Sequence, residues 1–328
     1  MKILIAYDGS DCADAALQDL RRAGLPREAE AIVISVAEAW LPPTPPSYKI
    51  VDSIVPADPT ADAETAGKRE LGALGEAQTL ATEAAKRIQS GFPDWTVRAE
   101  ATCGSPASEI LAKADAWEPD LIVVGSHGRS AIARLILGSV SHKIVSEARC
   151  SVRVARSSTR HPGSSARIIV GVDGSPDAVH AARAAAVRKW PGGSEVRLMA
   201  VFEKSTPTIA GSFIPPVVHW VEEENLATME FTRQMVQSLE GQFRSANLSV
   251  SSVVKPGDPK RVLVQEAEAR KADCIFVGAR GLSRIDRFLL GSVSAAVAGR
   301  AHCSVEVVRS KPKPVAETSI EPSSGGQS

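Results

Sequence analysis

Several features that would place this chain in a common functional class are missing from its sequence. The 328 residues contain no run of about 18 apolar residues, so no transmembrane helix is expected. The opening stretch MKILIAYDGSD turns polar too early to be read as a signal peptide. Lysine plus arginine and aspartate plus glutamate each number 38, and this neutral balance indicates neither a nucleic-acid partner nor a membrane partner.

Cysteine and aromatic residues are also scarce. The five cysteines are widely spaced and form no CxxC pair, which indicates a reduced, cytoplasmic compartment. Aromatic residues make up 4% of the chain, whereas apolar residues as a whole make up 44%. Alanine, valine, isoleucine and leucine therefore supply most of the core, which favours close packing of helices on a sheet, and the length is enough for two domains.

Two common phosphate-binding motifs are absent as well. The chain has no GxxxxGK[ST] sequence, which argues against a P-loop ATPase. It has no GxGxxG sequence after its first apolar run, which argues against a dinucleotide site of the usual type. Any nucleotide site in this chain must therefore use a different arrangement of glycines.

What the sequence does contain is one long internal repeat. ILIAYDGSDCADAAL begins at Ile3, and its counterpart IIVGVDGSPDAVHAA begins at Ile168. ARCSVRVAR ends at Arg156, and AHCSVEVVR ends at Arg309. The repeat predicts two domains and, between and after them, a polar linker and a disordered tail rich in proline, serine and glycine. The predicted bounds are 1–156 for the first domain, 157–166 for the linker, 167–310 for the second domain and 311–328 for the tail.

Each half alternates short apolar runs with stretches of helical periodicity. In the first half the apolar runs are KILIAY, AIVISVAE, WTVRAEAT, LIVVG and SVRVA. These runs are apolar on both faces, as buried parallel strands are. A helical stripe lies between the second and third runs, formed by Leu71, Leu74, Ala77, Leu80, Ala84 and Ile88. Strands that alternate with helices predict a doubly wound parallel α/β sheet in each half.

A glycine pattern occurs once in each half, in VGSHGRSAIARLILGSVS from Val124 and in VGARGLSRIDRFLLGSVS from Val277. Each copy predicts a turn after the fourth strand, a short helical spacer (residues 132–137 in the first half) and the start of another helix. A helix start offers unpaired N–H groups and a partial positive charge, which suit a phosphate. The matched residues are Gly125, Gly128, Gly138, Ser139 and Ser141 in the first half and Gly278, Gly281, Gly291, Ser292 and Ser294 in the second.

Purely structural interpretations of these residues stay open. The glycines could merely end strands and cap helices, and Asp8 and Asp173 could be turn residues that precede the helix caps Ser10 and Ser175. His127 and its counterpart Arg280 could contact a phosphate or lie in an exposed loop. The matched cysteines, Cys150 and Cys303, are expected to be buried as small apolar side chains. His219 and Trp220 are expected to pack in a lid or an interface.

The spacing Gly-x2-Gly-x9-Gly-Ser, after an aspartate at the end of a first strand, resembles the universal stress protein family. The resemblance covers residues 1–309 as two tandem domains. It implies two doubly wound five-stranded parallel sheets in the order 3-2-1-4-5, of the adenine nucleotide alpha hydrolase-like kind. It also implies a bound ATP in each half, with Mg²⁺ held through the phosphates rather than by dedicated protein ligands.

The resemblance further implies a role for each matched residue. Asp8 and Asp173 would bind the ribose hydroxyls or lie beside the adenine, and Gly125 and Gly278 would line the ribose. Backbone groups of Val36 and Val201 would face the adenine. The phosphates would be held by Gly128, Gly138, Ser139, Ser141, Gly281, Gly291, Ser292 and Ser294.

Two functional interpretations follow from the resemblance. In the first, the chain is an ATP-binding sensor or regulator of a stress response. In the second, it is a slow ATPase or another ATP-using enzyme of the same fold. No histidine or glutamate recurs at matched motif positions, and Arg134 and Arg287 recur only in the spacer, so the binder is favoured. The chain also lacks the SGGxDS sequence of the related ATP pyrophosphatases.

The same resemblance predicts how the halves assemble. The fifth strands, SVRVA and SVEVV, should lie at sheet edges and expose unpaired backbone groups. We expect them to pair antiparallel and to form an intrachain pseudo-dimer, while further homodimerisation is left open. The proline-rich segments PPTPPSYKIVDSIVP and TPTIAGSFIPPVV, which follow the second strands, are expected to be mobile lids.

Overall fold

The structure is a computed structural model that describes residues 1–38, 59–128, 137–158, 160–161, 163–203, 215–243, 248–282 and 290–310, without the side chains of 59–70 and 215–219. The predicted spacer helix with Arg134, its counterpart with Arg287, the first proline-rich segment and the tail lie outside the described residues. The last four residues of the second proline-rich segment belong to a helix. The rest of that segment also lies outside the described residues.

Both halves alternate strands and helices as the sequence predicts. The first half contains β1 (Lys2–Ala6), α1 (Asp11–Leu20), β2 (Glu30–Glu38), α2 (Pro59–Gly91), β3 (Thr96–Gly104), α3 (Pro106–Trp117), β4 (Leu121–Gly125), α4 (Ser139–Glu147) and β5 (Ser151–Ala155). The second half contains β6 (Arg167–Gly171), α5 (Pro176–Ala186), β7 (Glu195–Phe202), α6 (Pro215–Glu240), β8 (Ser249–Pro256), α7 (Pro259–Ala269), β9 (Cys274–Gly278), α8 (Ser292–Arg300) and β10 (Ser304–Val308).

All ten of these strands join one sheet in the order β3-β2-β1-β4-β5-β10-β9-β6-β7-β8. Within each half the strands are parallel in the order 3-2-1-4-5, so the predicted doubly wound fold is confirmed. The halves meet where β5 pairs antiparallel with β10, which places Glu306 opposite Arg153 and Val307 opposite Val152. The predicted pairing of the fifth strands is therefore confirmed.

Apolar side chains from both faces of the sheet form the core. One cluster covers a single face across both halves and includes Val152 and Val154 of β5 with Val305 and Val307 of β10, all fully buried. Two separate clusters form beneath α1 and α2 in one half and beneath α5 and α6 in the other. Because the first cluster is continuous across the β5–β10 junction, the two halves share part of their core. Cys150 and Cys303 are buried in it, as predicted.

The predicted stripe on α2 is right at its carboxyl end and wrong at its start. Ala77, Ala84 and Ile88 are buried as expected, but Leu71 is 71% exposed. A helix of 33 residues is about 50 Å long, whereas the nine-residue strand β2 beneath it spans about 30 Å. The sheet therefore cannot cover the whole helix, and periodicity alone does not reveal where the cover ends.

The junction of the halves contains a buried network of charged groups. Arg153 of β5 donates from Nε to Asp19 Oδ2 at 2.6 Å and from Nη1 to Glu306 Oε2 at 3.2 Å. Glu306 also accepts from Arg188, which follows α5, and Ser304 donates to Asp19. Burial acts to lower the pKa of Arg153, but the charge and hydrogen bonds of Asp19 outweigh it and raise that pKa. The guanidinium therefore stays charged inside the protein.

Each half also caps the last helix of the other half with an arginine. Arg156, just after β5, donates to the Ala298 carbonyl near the end of α8 at 2.6 Å. Arg309, just after β10, donates to the Val145 carbonyl near the end of α4 at 2.6 Å. A cation at a helix carboxyl end interacts favourably with the helix dipole and satisfies terminal carbonyl groups. The exchange is reciprocal, so it ties α4 and α8 to the opposite half.

We expect Arg153→Ala to lower the free energy of unfolding by about 3–5 kcal/mol, because it leaves the Asp19 and Glu306 carboxylates buried without their shared cation. Chemical denaturation followed by circular dichroism measures the change. The matched control is Arg149→Ala, since the Arg149 side chain is 69% exposed and its ion pair with Asp115 is long, at 3.7 Å. Equal, small losses in both variants would show that the buried network contributes little.

Candidate functional site

The two halves build the same turn after their first strands. The turn needs glycine because Gly9 and Gly174 have φ values of +76° and +84°. Asp8 Oδ1 accepts from the backbone N–H of Ser10 at 3.0 Å and from its hydroxyl at 2.6 Å. The Ser10 hydroxyl in turn accepts from Ala13 N, which caps α1. The turn interpretation of Asp8 is therefore correct for one of its two carboxylate oxygens.

The second carboxylate oxygen lies beside the second glycine of the motif. A methyl group built on Gly128 would stand 3.1 Å from Asp8 Oδ2, and one built on Gly281 would stand 2.8 Å from Asp173 Oδ2. Residues 120 positions apart in the first half thus meet at the carboxyl ends of β1 and β4. This is the point where the connections from neighbouring strands leave in opposite directions, and ligands bind there in such sheets.

The first glycine of each motif has a packing role. A methyl group on Gly125 would stand 2.8 Å from the Cys12 carbonyl oxygen, and one on Gly278 would stand 2.6 Å from Ala178 N. Distances this short to backbone atoms show that the first turns of α1 and α5 press directly on the ends of β4 and β9. The glycine at these positions is explained by close helix–strand packing, whether or not a ligand is bound.

The third glycine of each motif begins a helix. Gly138 is the N-cap of α4 and donates to the Ser126 carbonyl at 2.9 Å, and Gly291 is the N-cap of α8 and donates to the Ala279 carbonyl at 2.8 Å. These bonds fold the chain back so that each helix start lies beside the turn after β4 or β9. Ser139 and Ser292 occupy the first helical positions, as predicted. Neither N-cap glycine has a side chain that could accept hydrogen bonds from the backbone N–H groups at the start of the helix.

The last serine of each motif is already engaged within the protein. Ser141 donates to the Gly125 carbonyl at 2.7 Å, and Ser294 donates to the Gly278 carbonyl at 2.5 Å. Both serines are buried. Because a hydroxyl has one proton to donate, these bonds compete with donation to a phosphate. They instead hold the first turn of α4 or α8 against the end of β4 or β9.

Val36 and Val201 lie where the sequence-based interpretation puts them along their strands. Val36 is two residues before the end of β2 and beyond its last pair with β1, which is Ala6 with Ile34. Val201 is one residue before the end of β7. Both are partly exposed at the carboxyl edge of the sheet, on the same edge as Asp8 and Asp173.

The groups that flank the glycines differ between the halves. In the second half Arg280 forms a bidentate ion pair with Asp177, at 2.8 and 3.2 Å. In the first half the matching residues are Cys12 and His127, and Ser126 lies between them, 3.7 Å from the Cys12 sulfur and 3.0 Å from His127 Nδ1. Burial lowers the pKa of His127, and the charge of Arg156 lowers it further, so the imidazole stays neutral to lower pH.

Comparison with known proteins gives one consistent answer. The profile of the Universal stress protein family matches residues 1–156 and again residues 165–309. The chain belongs to the universal stress protein family. A universal stress protein of Mycobacterium tuberculosis is 30% identical over 241 residues, which cover 70% of this chain and 74% of that protein.

Two further relatives extend over nearly the whole chain. A universal stress protein of Mycolicibacterium smegmatis is 26% identical over 314 residues, which cover 94% of this chain and 96% of that protein. The crystal structure of a universal stress protein from Archaeoglobus fulgidus is 18% identical, with a TM-score of 0.57, and the match covers 94% of this chain and 98% of that one. The match to this crystal structure supports the fold that is described above for the tandem chain.

The described part of this universal stress protein contains neither a group of three or more histidine, cysteine or acidic residues suited to a metal ion nor a helix long and apolar enough to cross a membrane.

Sequence reasoning missed two residues that shape the site, Cys12 and Asp177. A signal was available, because the exchange of Cys12 for Asp177 accompanies the exchange of His127 for Arg280 between the aligned halves.

We expect Gly278→Ala to lower the free energy of unfolding by about 1–3 kcal/mol, since its new methyl group would overlap the backbone of α5. The midpoint of urea unfolding measures the loss. Gly192→Ala is the matched control in the same half, because a methyl group at Gly192 has nothing within 4 Å. If the two variants have the same free energy of unfolding, β9 and α5 can move apart to accept the methyl group without a loss of stability.

Proposed function

We propose that this universal stress protein binds one adenine nucleotide in each half, as ATP with Mg²⁺, and acts as a cytoplasmic sensor or regulator of a stress response. The observation that carries the proposal is the meeting of Asp8 with Gly128, and of Asp173 with Gly281, beside a glycine-capped helix start. All five cysteines are free, which agrees with a reduced compartment.

The two ends of the crevice suit the two ends of a nucleotide. At one end an aspartate carboxylate can accept hydrogen bonds from ribose hydroxyls, and Val36 or Val201 can offer backbone groups to a base. At the other end, the first turn of α4 or α8 presents backbone N–H groups with the positive end of the helix dipole. Gly128 and Gly281 leave room for a phosphate chain to pass between the carboxylate and the helix.

The proposal divides the motif residues into two groups. Asp8, Val36, Gly128, Gly138 and Ser139 would contact the nucleotide, as would their counterparts Asp173, Val201, Gly281, Gly291 and Ser292. Gly125 and Ser141, with Gly278 and Ser294, would line the crevice and position it, because their close contacts are with the protein itself. Mg²⁺ would be held through phosphate oxygens, since this ion commonly keeps waters and takes few protein ligands.

We expect calorimetric titration with Mg-ATP to approach two nucleotides per chain. Gly128→Val and Gly281→Val should each reduce this to one, because the added side chain would meet the aspartate carboxylate and fill the path of the phosphates. Gly75→Val is the control, since a methyl group at Gly75 has nothing within 4 Å. No binding by the native chain refutes the proposal, and two sites in either folded glycine variant would refute the assigned position.

A binder is favoured over an ATP-using enzyme because the groups beside the described glycines differ between the halves. Hydrolysis needs a positioned water and an orienting or basic group. His127 holds this place in the first half, and Arg280, which cannot act as a base, holds it in the second. We expect phosphate release from ATP at trace rates, measured by a coupled phosphate assay. Steady turnover that is lost in His127→Gln would establish the enzyme instead.

A further inference from the structure

A cavity lies away from the glycine motifs. It is a groove of about 440 Å³ between α1, the end of α2 and the three residues Ser158, Arg160 and His161, and we name it the α1–α2 groove. Its volume falls in the range of small-molecule sites, roughly 300–1,000 Å³. Arg21 and Arg22 of this groove follow the end of α1, and the ten residues of that helix separate them by about 15 Å from the crevice at its start.

The groove is lined by a strong excess of positive charge. Arg21, Arg22, Arg87, Arg160 and His161 contribute to its wall, and no aspartate or glutamate is among the described residues that line it. The arginines come from three separate segments of the chain. Their convergence on one cavity is therefore produced by the tertiary fold and not by a local run of basic sequence.

Two of these arginines are held in place by acidic partners just outside the groove. Arg87 donates to Asp14 Oδ1 at 2.6 Å and to the Tyr7 hydroxyl at 3.2 Å. Arg160 donates to Asp273 Oδ2 at 3.1 Å. These pairs neutralise two of the four guanidinium charges. They also fix the positions of the side chains, which reduces the entropy lost when a ligand binds.

The other two arginines have no carboxylate within 4.0 Å among the described residues. Arg22 donates to the Arg160 carbonyl at 3.1 Å, and the exposed Arg21 lies over Gly91, where a methyl group would stand 2.7 Å from its Nη2. The carboxyl ends of α1 and α2 meet here and together supply about one negative charge. Two arginines without a carboxylate partner among the described residues exceed that amount, so the described wall of the groove keeps a net positive charge.

The wall of the groove that lies between α1 and α2 is apolar. Leu17 and Ile88 are buried, with 7% and 3% exposure, and Phe92 is half-buried and stacked on Trp95 with ring centroids 4.1 Å apart. Apolar surface beside guanidinium groups suits a ligand that has both an apolar body and an anionic group. A hydrated inorganic ion would leave this part of the wall unused.

We propose that the α1–α2 groove binds a small organic anion, with one carboxylate or phosphate group on an apolar or aromatic body. Arg21 and Arg22 would hold the anionic group, since guanidinium matches both of these anions with paired hydrogen bonds. The body would lie against Phe92 and its apolar neighbours. Because Arg160 lines this groove and also donates to Asp273 of the second half, an occupied groove would strengthen the attachment of Arg160 and His161 to the first half.

The test uses phenyl phosphate as the probe and isothermal titration calorimetry on the full chain. The Gly128→Val/Gly281→Val double variant is titrated alongside the native chain, so that phosphate binding at the glycine motifs is removed. We expect one phenyl phosphate per chain in the double variant. Inorganic phosphate and phenol, which carry the head and the body separately, should each bind at least about tenfold more weakly, a difference of about 1.4 kcal/mol.

Arg21→Glu in the double variant should weaken phenyl phosphate binding by about tenfold or more, and Arg21→Gln should weaken it less. Arg261→Glu is the matched control, because Arg261 is exposed on α7 at a distance from this groove. Four results would overturn the proposal: no binding in the double variant, binding unchanged by Arg21→Glu, equal loss in Arg261→Glu, or inorganic phosphate binding as tightly as the probe. None of these depends on whether ATP occupies the glycine motifs.

Discussion

The junction of the two halves is built around one buried cation. Arg153 is 1% exposed and lies between Asp19 of its own half and Glu306 of the other. Burying a charge is expensive unless partners compensate it, and here the partners come from α1 and β10. Because Glu306 is directly opposite Arg153 in the ladder, a shift of β10 by one residue would turn Glu306 to the other face of the sheet. The ion pair therefore specifies the register in which the halves join.

That register has consequences for the crevices, because the helices that begin there end at the junction. α4 starts at Gly138 in the first crevice, and its final carbonyls accept from Arg309 of the second half. α8 starts at Gly291, and the Ala298 carbonyl near its end accepts from Arg156 of the first half. Burial lowers the pKa of both arginines, yet each keeps helix carbonyls as acceptors. Each proposed phosphate site thus rests on a helix whose far end is held by the other half.

Much of this arrangement could be predicted from the sequence, because the elements follow from periodicity and their order from the family resemblance. Alternating apolar runs predict the strands, and the order 3-2-1-4-5, which the family resemblance implies, brings Asp8 to the end of β4. What could not be predicted depends on side-chain contacts between distant segments. The hydroxyl of Ser141 donates to the Gly125 carbonyl, a bond that the motif does not reveal. Leu71 was expected in the core, but α2 extends beyond the sheet. Neither periodicity nor motif spacing carries information on these contacts.

The two halves keep the same glycines and still differ in charge beside them. In the second half, the half-buried Arg280 forms an ion pair with the buried Asp177 beside the glycines. The first half has instead exchanged both, for Cys12 and His127, and has a serine at 126 that contacts each of them. The paired exchange keeps each turn internally bonded while it replaces a permanent cation by a neutral imidazole. Equal spacing of glycines therefore preserves the shape of the two proposed sites but leaves their electrostatic fields unequal, so a nucleotide that binds both would not meet the same environment twice.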